Sequence, residues 1–144
     1  MSYPAHSTLR RTTDSSQSMA YLGAVLQWDL FEADLDPTVG REQGGENRPV
    51  LIVSNDGFNR EFDVVTVLPL TKLEGKARRV YPFEVLVAPG AAGNPLESIV
   101  MPQQIRTISK RRLLARLGTL HDAVKRQEIE DRMLDHLGIS LDDS

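Results

Sequence analysis

The sequence predicts a mainly β fold with helices: a small antiparallel β-barrel carrying a C-terminal helix. Three observations predict it. Short apolar runs recur between clusters of Gly, Pro, Asn and Asp, the spacing of an all-β barrel. The first run has apolar residues on both parities (Leu26, Trp28, Leu30; Phe31, Ala33, Leu35), as in a strand covered on both faces. Helical periodicity is confined to the chain's last third, and no internal repeat interrupts this order.

The elements follow from the punctuation. Residues 24–35 read as the first strand, broken by Asp36-Pro37. Residues 37–48, rich in Gly and charge, form a loop. Residues 49–54 (PVLIVS) are a short, buried strand, followed by a turn at Asn55-Asp56-Gly57. Residues 64–68 are a third strand, closed by Pro69-Leu70-Thr71, and residues 72–79 are a charged loop. Residues 80–87 are a fourth strand with Phe83, Val85 and Val87 on one parity, then a Gly/Pro loop covers 89–95. Residues 98–101 and 104–108 are strand-like on either side of a bend at Pro102. Ser109 fits as N-cap of a short helix over 110–117, stopped by Gly118. Asp122 caps a second helix reaching about His136 and ended by Gly138. Ile129, Met133, Leu134 and Leu137 lie on one face of it.

Length and composition set the outer limits. A chain of 144 residues suits one domain, taken as residues 19–144. Residues 1–18, with five Ser and three Thr, lack the apolar area to offset ordering entropy and read as a disordered tail. The chain has no Cys, which excludes disulfides, thiolate zinc sites and cysteine nucleophiles. It has no apolar run of the roughly 18 residues that a membrane span needs. The expected compartment is the cytoplasm. The formal net charge of −3 is unevenly spread. Residues 19–121 hold twelve basic and twelve acidic groups, while residues 122–144 hold three basic and seven acidic. Two basic patches stand on a neutral body: Lys72, Lys76, Arg78 and Arg79 against Glu74, and Arg106, Lys110, Arg111, Arg112 and Arg116. The last three are read as a solvated helix face.

Few residues offer chemistry. His6, His121 and His136 sit in the tail, at a helix entry and at a helix end, so no rigid element pairs them. Phosphate-loop and dinucleotide fingerprints are absent, and no metal or cofactor is expected. Two stretches remain. In Gly40–Pro49 (GREQGGENRP), glycines permit close backbone approach, and Arg48 is fixed between a proline and a strand. Such an arginine either forks onto a phosphate or makes a surface salt bridge at an ordinary hairpin loop. Thr71, a hydroxyl at the end of a buried strand, is the second candidate; strand-end threonines ordinarily bond locally to backbone.

At these residues the chain resembles the MazF/PemK (Kid-like) toxin endoribonucleases. The matching stretches are Asp34–Gly40 (DLDPTVG), Glu42-Gln43 with Arg48-Pro49-Val50, and residues 51–56 (LIVSND) with Phe58-Asn59. Pro69-Leu70-Thr71, residues 104–113 (QIRTISKRRL) and Leu117-Gly118 complete the set. Their order and spacing cover about residues 23–138. The resemblance implies an SH3-like barrel that forms a homodimer. It implies metal-independent cleavage of single-stranded RNA at a short sequence, and a cognate antitoxin protein that competes for the RNA groove. It puts the catalytic roles on Arg48, Thr71 and Glu42. This sequence departs from the family in five places. The loop before Arg48 is one residue longer (Glu46-Asn47), Lys72 replaces a small hydroxyl residue and Gln103 replaces an acid. Gln27-Trp28-Asp29 stands where a basic residue, Gly and Asp are usual, and the tail 1–18 has no counterpart.

These residues can support attack by the RNA's own 2′-hydroxyl. Arg48 stabilises the phosphorane and Thr71 bonds a phosphate oxygen. Glu42, or Glu46 in the longer loop, takes the proton. RNA contacts are expected from Gln43, Lys72, Lys76, Arg78, Arg79, Gln104, Arg106 and Lys110. Two other readings use the same barrel: a CcdB-like toxin that inhibits DNA gyrase by protein binding, and a barrel that binds RNA without cutting it.

Overall fold

The structure is a computed structural model and describes residues 20–73 and 78–141. The expected tail over residues 1–18 and the expected RNA contact Lys76 lie outside the described residues. The strands are β1 (Asp29–Ala33), β2 (Arg48–Ile52), β3 (Val64–Lys72), β4 (Val85–Val87), β5 (Ser98–Val100), β6 (Arg106–Ser109) and β7 (Leu113–Thr119). Helix α1 (Asp56–Glu61) joins β2 to β3, and helix α2 (Ala123–Leu137) closes the chain. Single 3-10 turns at Pro102–Gln104 and Lys110–Arg112 flank β6. The strands run β4-β5-β3-β2-β1-β7, with β6 also on β3 and all pairings antiparallel. The path is an open, coiled sheet of the barrel class, with β6 and β7 joined through one turn. None of the helices among the described residues is long and apolar enough to cross a membrane.

The both-parity apolar pattern has a physical outcome: two cores, one on each face of the sheet. Leu30, Leu51, Leu68, Leu70, Val85 and Val100 pack on one face with Ile129 and Met133 of α2. Phe31, Val50, Ile52, Val65, Val67 and Leu113 pack on the other with Val25 and Tyr21. Each fully buried Leu, Ile, Val or Phe contributes about 1.5–3 kcal/mol of transfer free energy. Helix α2 begins where expected: the Asp122 carboxylate accepts from the Val124 and Lys125 amides. Gly138 ends it at φ 69°, a left-handed conformation that glycine adopts without strain. Its apolar face is narrower than the sequence suggested, because Leu137 is exposed.

Several expected elements are corrected. The helix over 110–117 is a 3-10 turn followed by β7, which pairs with β1 (Ala33 opposite Leu113, Phe31 opposite Arg116). Burying Leu113 against Ile52 and Phe31 outweighs the local helix propensity of this segment. Asn55-Asp56-Gly57 is no free turn: the Asn55 side chain accepts from the Phe58 amide at 2.9 Å and caps α1. Strand β1 is five residues rather than twelve. It starts after Trp28, which is buried at φ 76°, a strained conformation costing about 1–3 kcal/mol. The strand over 80–87 shrinks to Val85–Val87 because Tyr81–Glu84 forms a turn closed by the Glu84 amide on the Tyr81 carbonyl. Strand β3 runs through Pro69 to Lys72. The missing N–H of Pro69 falls where the neighbouring strand changes from β6 to β5, so no ladder bond is lost.

Candidate active site

Register brings the two candidate residues together. Strand β2 sets Val50 opposite Pro69 and Leu51 opposite Leu68. Continuing that register by two residues places Arg48 opposite Thr71, on one face, across neighbouring strands. Arg48 Nη1 lies 3.4 Å from both the Thr71 hydroxyl and the Leu70 carbonyl. Its Nε donates to the Gly44 carbonyl at 2.9 Å. With the Gln43 amide in the orientation its neighbours satisfy, Gln43 Oε1 accepts from Arg48 Nη2 at 2.9 Å. All these partners are neutral. Among the described residues no carboxylate makes an ion pair with Arg48. Half-burial lowers its pKa from the ordinary arginine value, and Asp36 partly opposes the shift from a distance. The guanidinium remains a cation near neutrality, held in place with no carboxylate directly paired to it among the described residues.

The glycine loop is built around that side chain. A Cβ on Gly44 would lie 2.6 Å from both the Asp36 carboxylate and the Thr38 hydroxyl. Gly45 has φ 127°, and a Cβ there would lie 3.3 Å from Arg48 Nε. Its amide donates to Asp36 at 3.0 Å, and its carbonyl accepts from the Leu35 amide. Gln104 holds the far side: its side chain accepts from the Gln43 amide and donates to the Arg41 carbonyl, each at 3.1 Å. The additional loop residue is absorbed in an exposed turn at Glu46-Asn47. Glu42 lies at the exposed loop tip, where its carboxylate accepts from the Val39 amide at 2.5 Å.

The basic residues divide. Lys72 and Arg79 are exposed. Four others are tied to the protein itself. Arg78 makes a bidentate pair with Glu84 at 2.9 and 3.0 Å. Arg106 donates to the Leu35 carbonyl at 3.4 Å, and Arg112 to the carbonyls of Asp34 and Asp36. Lys110 donates to the Asn59 carbonyl, and burial lowers its pKa. Arg111 and Arg116, read as part of a helix face, lie instead on the 3-10 turn and on β7, where Arg116 pairs with the buried Asp29 at 3.4 Å. Gln103 donates to Glu84 Oε2 at 2.7 Å, so the acid usual in the family at this position would face a second carboxylate here.

Sequence reasoning passed over Asp36, which fixes Gly45, and Glu84, which anchors Arg78. Asp36 reads in the sequence as part of a strand breaker and of the Asp34–Gly40 stretch with no role of its own, and Glu84 lies inside an apparent strand. Among the described residues no three His, Asp or Glu side chains converge as a metal-ligand set. A cavity of about 610 Å³ lined by Tyr21, Leu26, Asp56, Asn59 and Lys110 shares no lining residue with the Arg48 loop.

Comparison with known proteins agrees with this geometry. Residues 26–135 match the family described as PemK-like, MazF-like toxin of type II toxin-antitoxin system. Endoribonuclease EndoA of Bacillus subtilis (strain 168) is 38% identical over 117 residues, spanning 81% of this chain and 94% of that protein. An endoribonuclease in complex with its cognate antitoxin, from Mycobacterial species, superposes with a TM-score of 0.65 at 27% identity, covering 83% of this chain and 100% of that one. MazF from Deinococcus radiodurans shares the fold, with a TM-score of 0.67 at 24% identity, covering 81% of this chain and 99% of that one.

Proposed function

Because the chain belongs to the PemK-like, MazF-like toxin family, we propose that it cleaves single-stranded RNA at a phosphate bound between Arg48 and Thr71, and that a cognate antitoxin silences it. It is an endoribonuclease of a type II toxin–antitoxin system. The observation that carries the assignment is that Arg48 is fixed by neutral acceptors, with no carboxylate among the described residues in direct ion-pair contact, across from the Thr71 hydroxyl on the neighbouring strand. A rigid cation without a carboxylate is a site prepared for an anion.

The chemistry is transesterification. The 2′-hydroxyl attacks the adjacent phosphorus, the P–O5′ bond breaks, and the products are a cyclic phosphate and a free 5′-hydroxyl. Arg48 stabilises the charge on the phosphorane, and Thr71 hydrogen-bonds a phosphate oxygen. The 2′ proton passes to Glu42 at the loop tip or to Glu46 in the adjoining turn, while the departing 5′ oxygen takes a proton from water. The reaction uses no metal. We place Gln43, Lys72 and Arg79 on the RNA, and give Gln104, Arg78, Arg106 and Lys110 the internal roles their hydrogen bonds support. The active species is a homodimer acting in the cytoplasm, where its substrate is.

The test is incubation of purified protein with a long single-stranded RNA in EDTA. Expected are cuts at one repeated short sequence, with cyclic-phosphate and 5′-hydroxyl ends. Thr71→Ala should abolish the cuts and leave the fold intact. Glu42→Gln and Glu46→Gln, compared with each other, identify the proton acceptor. Full cleavage by a folded Arg48→Ala protein would falsify the assignment. Mass measured in solution checks the dimer.

A further inference from the structure

We propose that Tyr81 and Phe83 form a stacking platform for a nucleobase flanking the scissile phosphate, with Arg79 as the adjoining backbone contact. This rests on the endoribonuclease reading above and adds to its Arg79 contact two residues, Tyr81 and Phe83, that the reading does not use.

The two rings are parallel, at an interplanar angle of 2° and a centroid separation of 5.2 Å. Each residue is 42% exposed, although Phe is ordinarily among the most buried residue types. The Arg79 guanidinium lies 5.4 Å from the Tyr81 ring centroid, within cation–π range. Exposed aromatic planes beside a cation are how single-stranded nucleic acid is held without base pairing.

The platform is rigid and shares its support with the catalytic loop. Glu84, with its side chain fully buried, accepts from the Tyr81 amide at 3.1 Å, from Arg78 through both oxygens, and from Gln103 at 2.7 Å. Gln103 and Gln104 lie in one 3-10 turn, and Gln104 fixes the loop whose Gln43 holds Arg48. The same turn therefore orients the platform and the reactive cation. Thr71 aligns with Ile99 and through it with Leu86, and Phe83 lies three residues before Leu86. The platform is therefore offset from Thr71 by two strand spacings across the sheet and about three residues along it, roughly 10 Å in each direction. Charge selects RNA as the occupant. The Glu84 carboxylate next to the rings is paired with Arg78, so among the described residues the exposed charge beside the Tyr81 ring is the cation of Arg79.

The experiment measures KM and kcat on an RNA oligonucleotide carrying the cleavage site mapped on long RNA. Phe83→Leu keeps apolar bulk and removes the π face; Tyr81→Leu is the second variant should the first fail to fold. Either should raise KM by about 5- to 100-fold with a much smaller change in kcat. Phe83→Trp should restore wild-type KM, and its new fluorescence should be quenched by RNA bearing a 2′-O-methyl group at the cut nucleotide. Unchanged KM in folded Phe83→Leu and Tyr81→Leu overturns the proposal. So does a loss confined to antitoxin binding, which would make the rings a protein-docking surface. Absence of cleavage by the wild-type protein would instead remove the endoribonuclease reading itself.

Discussion

Arg48, at the start of β2, and Arg78, in the segment leading to β4, are both partly buried arginines of the same sheet, and the structure treats them in opposite ways. Arg78 meets a buried carboxylate with both terminal nitrogens, and its pKa is raised by that hydrogen-bonded partner. Arg48 meets two carbonyls, one amide oxygen and a hydroxyl, and its pKa is lowered by desolvation. The first arrangement spends the charge on the fold. The second leaves it available. Residue type and local charge density do not distinguish the two; the partner does. Arg106, Arg112 and Lys110 donate to main-chain carbonyls as Arg48 does, so what sets Arg48 apart from them is the Thr71 hydroxyl that faces it from the neighbouring strand.

The largest expected effect breaks the comparison at Arg48. Arg48→Ala should reduce cleavage by at least about 10² to 10³-fold, the cost of one preorganised donor. It should leave the melting temperature nearly unchanged, because no buried anion loses its partner. Arg48→Lys should recover little, since a point charge cannot reach Gly44, Gln43 and Thr71 together. A marked loss of stability in Arg48→Ala would make this residue structural, like Arg78.

Arg78→Ala is the mirror experiment. It leaves the Glu84 carboxylate buried with only Gln103 and the Tyr81 amide. Removing one partner of a fully buried pair costs about 3–5 kcal/mol; the partial exposure of Arg78 reduces this to about 2 kcal/mol. The melting temperature should fall by about 8 °C in a thermal scan. Cleavage per folded molecule should fall far less than in Arg48→Ala. A variant replacing both Arg78 and Glu84 by Met should regain most of the lost stability.

Gln104→Ala is expected to be milder. Its two bonds position the loop rather than touch the phosphate, so kcat should drop about tenfold with little change in melting. Gln104→Glu keeps an acceptor for the Gln43 amide and loses the donor to Arg41, so it should fall between the two.

How much of this was legible in the sequence follows from what each feature depends on. The two-faced β1 was legible because burial on both faces leaves apolar residues on both parities. Helix α2 was legible because its caps, Asp122 and Gly138, are local signals. Strand β7 was not, because KRRLLARL has helical propensity and only its pairing to β1 overrides it. Arg48 and Thr71 were legible one at a time as a fixed arginine and a strand-end hydroxyl. Their meeting was legible only through the family resemblance, since it depends on a cross-strand register that no local pattern encodes. The fate of the basic patch was hidden for the same reason: main-chain carbonyls carry no sequence signature.

The smallest expected effect sharpens the Arg78 side through pH. Desolvation pushes the Glu84 pKa up, but Arg78, Gln103 and the Tyr81 amide together hold it below the ordinary carboxylate value. A carboxyl with a depressed folded-state pKa contributes its full stabilisation above the unfolded value of about 4.3, and loses it as pH falls through the folded value. Glu84→Gln removes that dependence while keeping the shape. At neutral pH the wild type should melt higher than Glu84→Gln. As pH falls below the unfolded value of about 4.3 the gap should narrow, because the other carboxylates titrate alike in both proteins. A gap that stayed constant over that range would mean that Glu84 is held by packing, and that the pairing which separates Arg78 from Arg48 contributes nothing to stability.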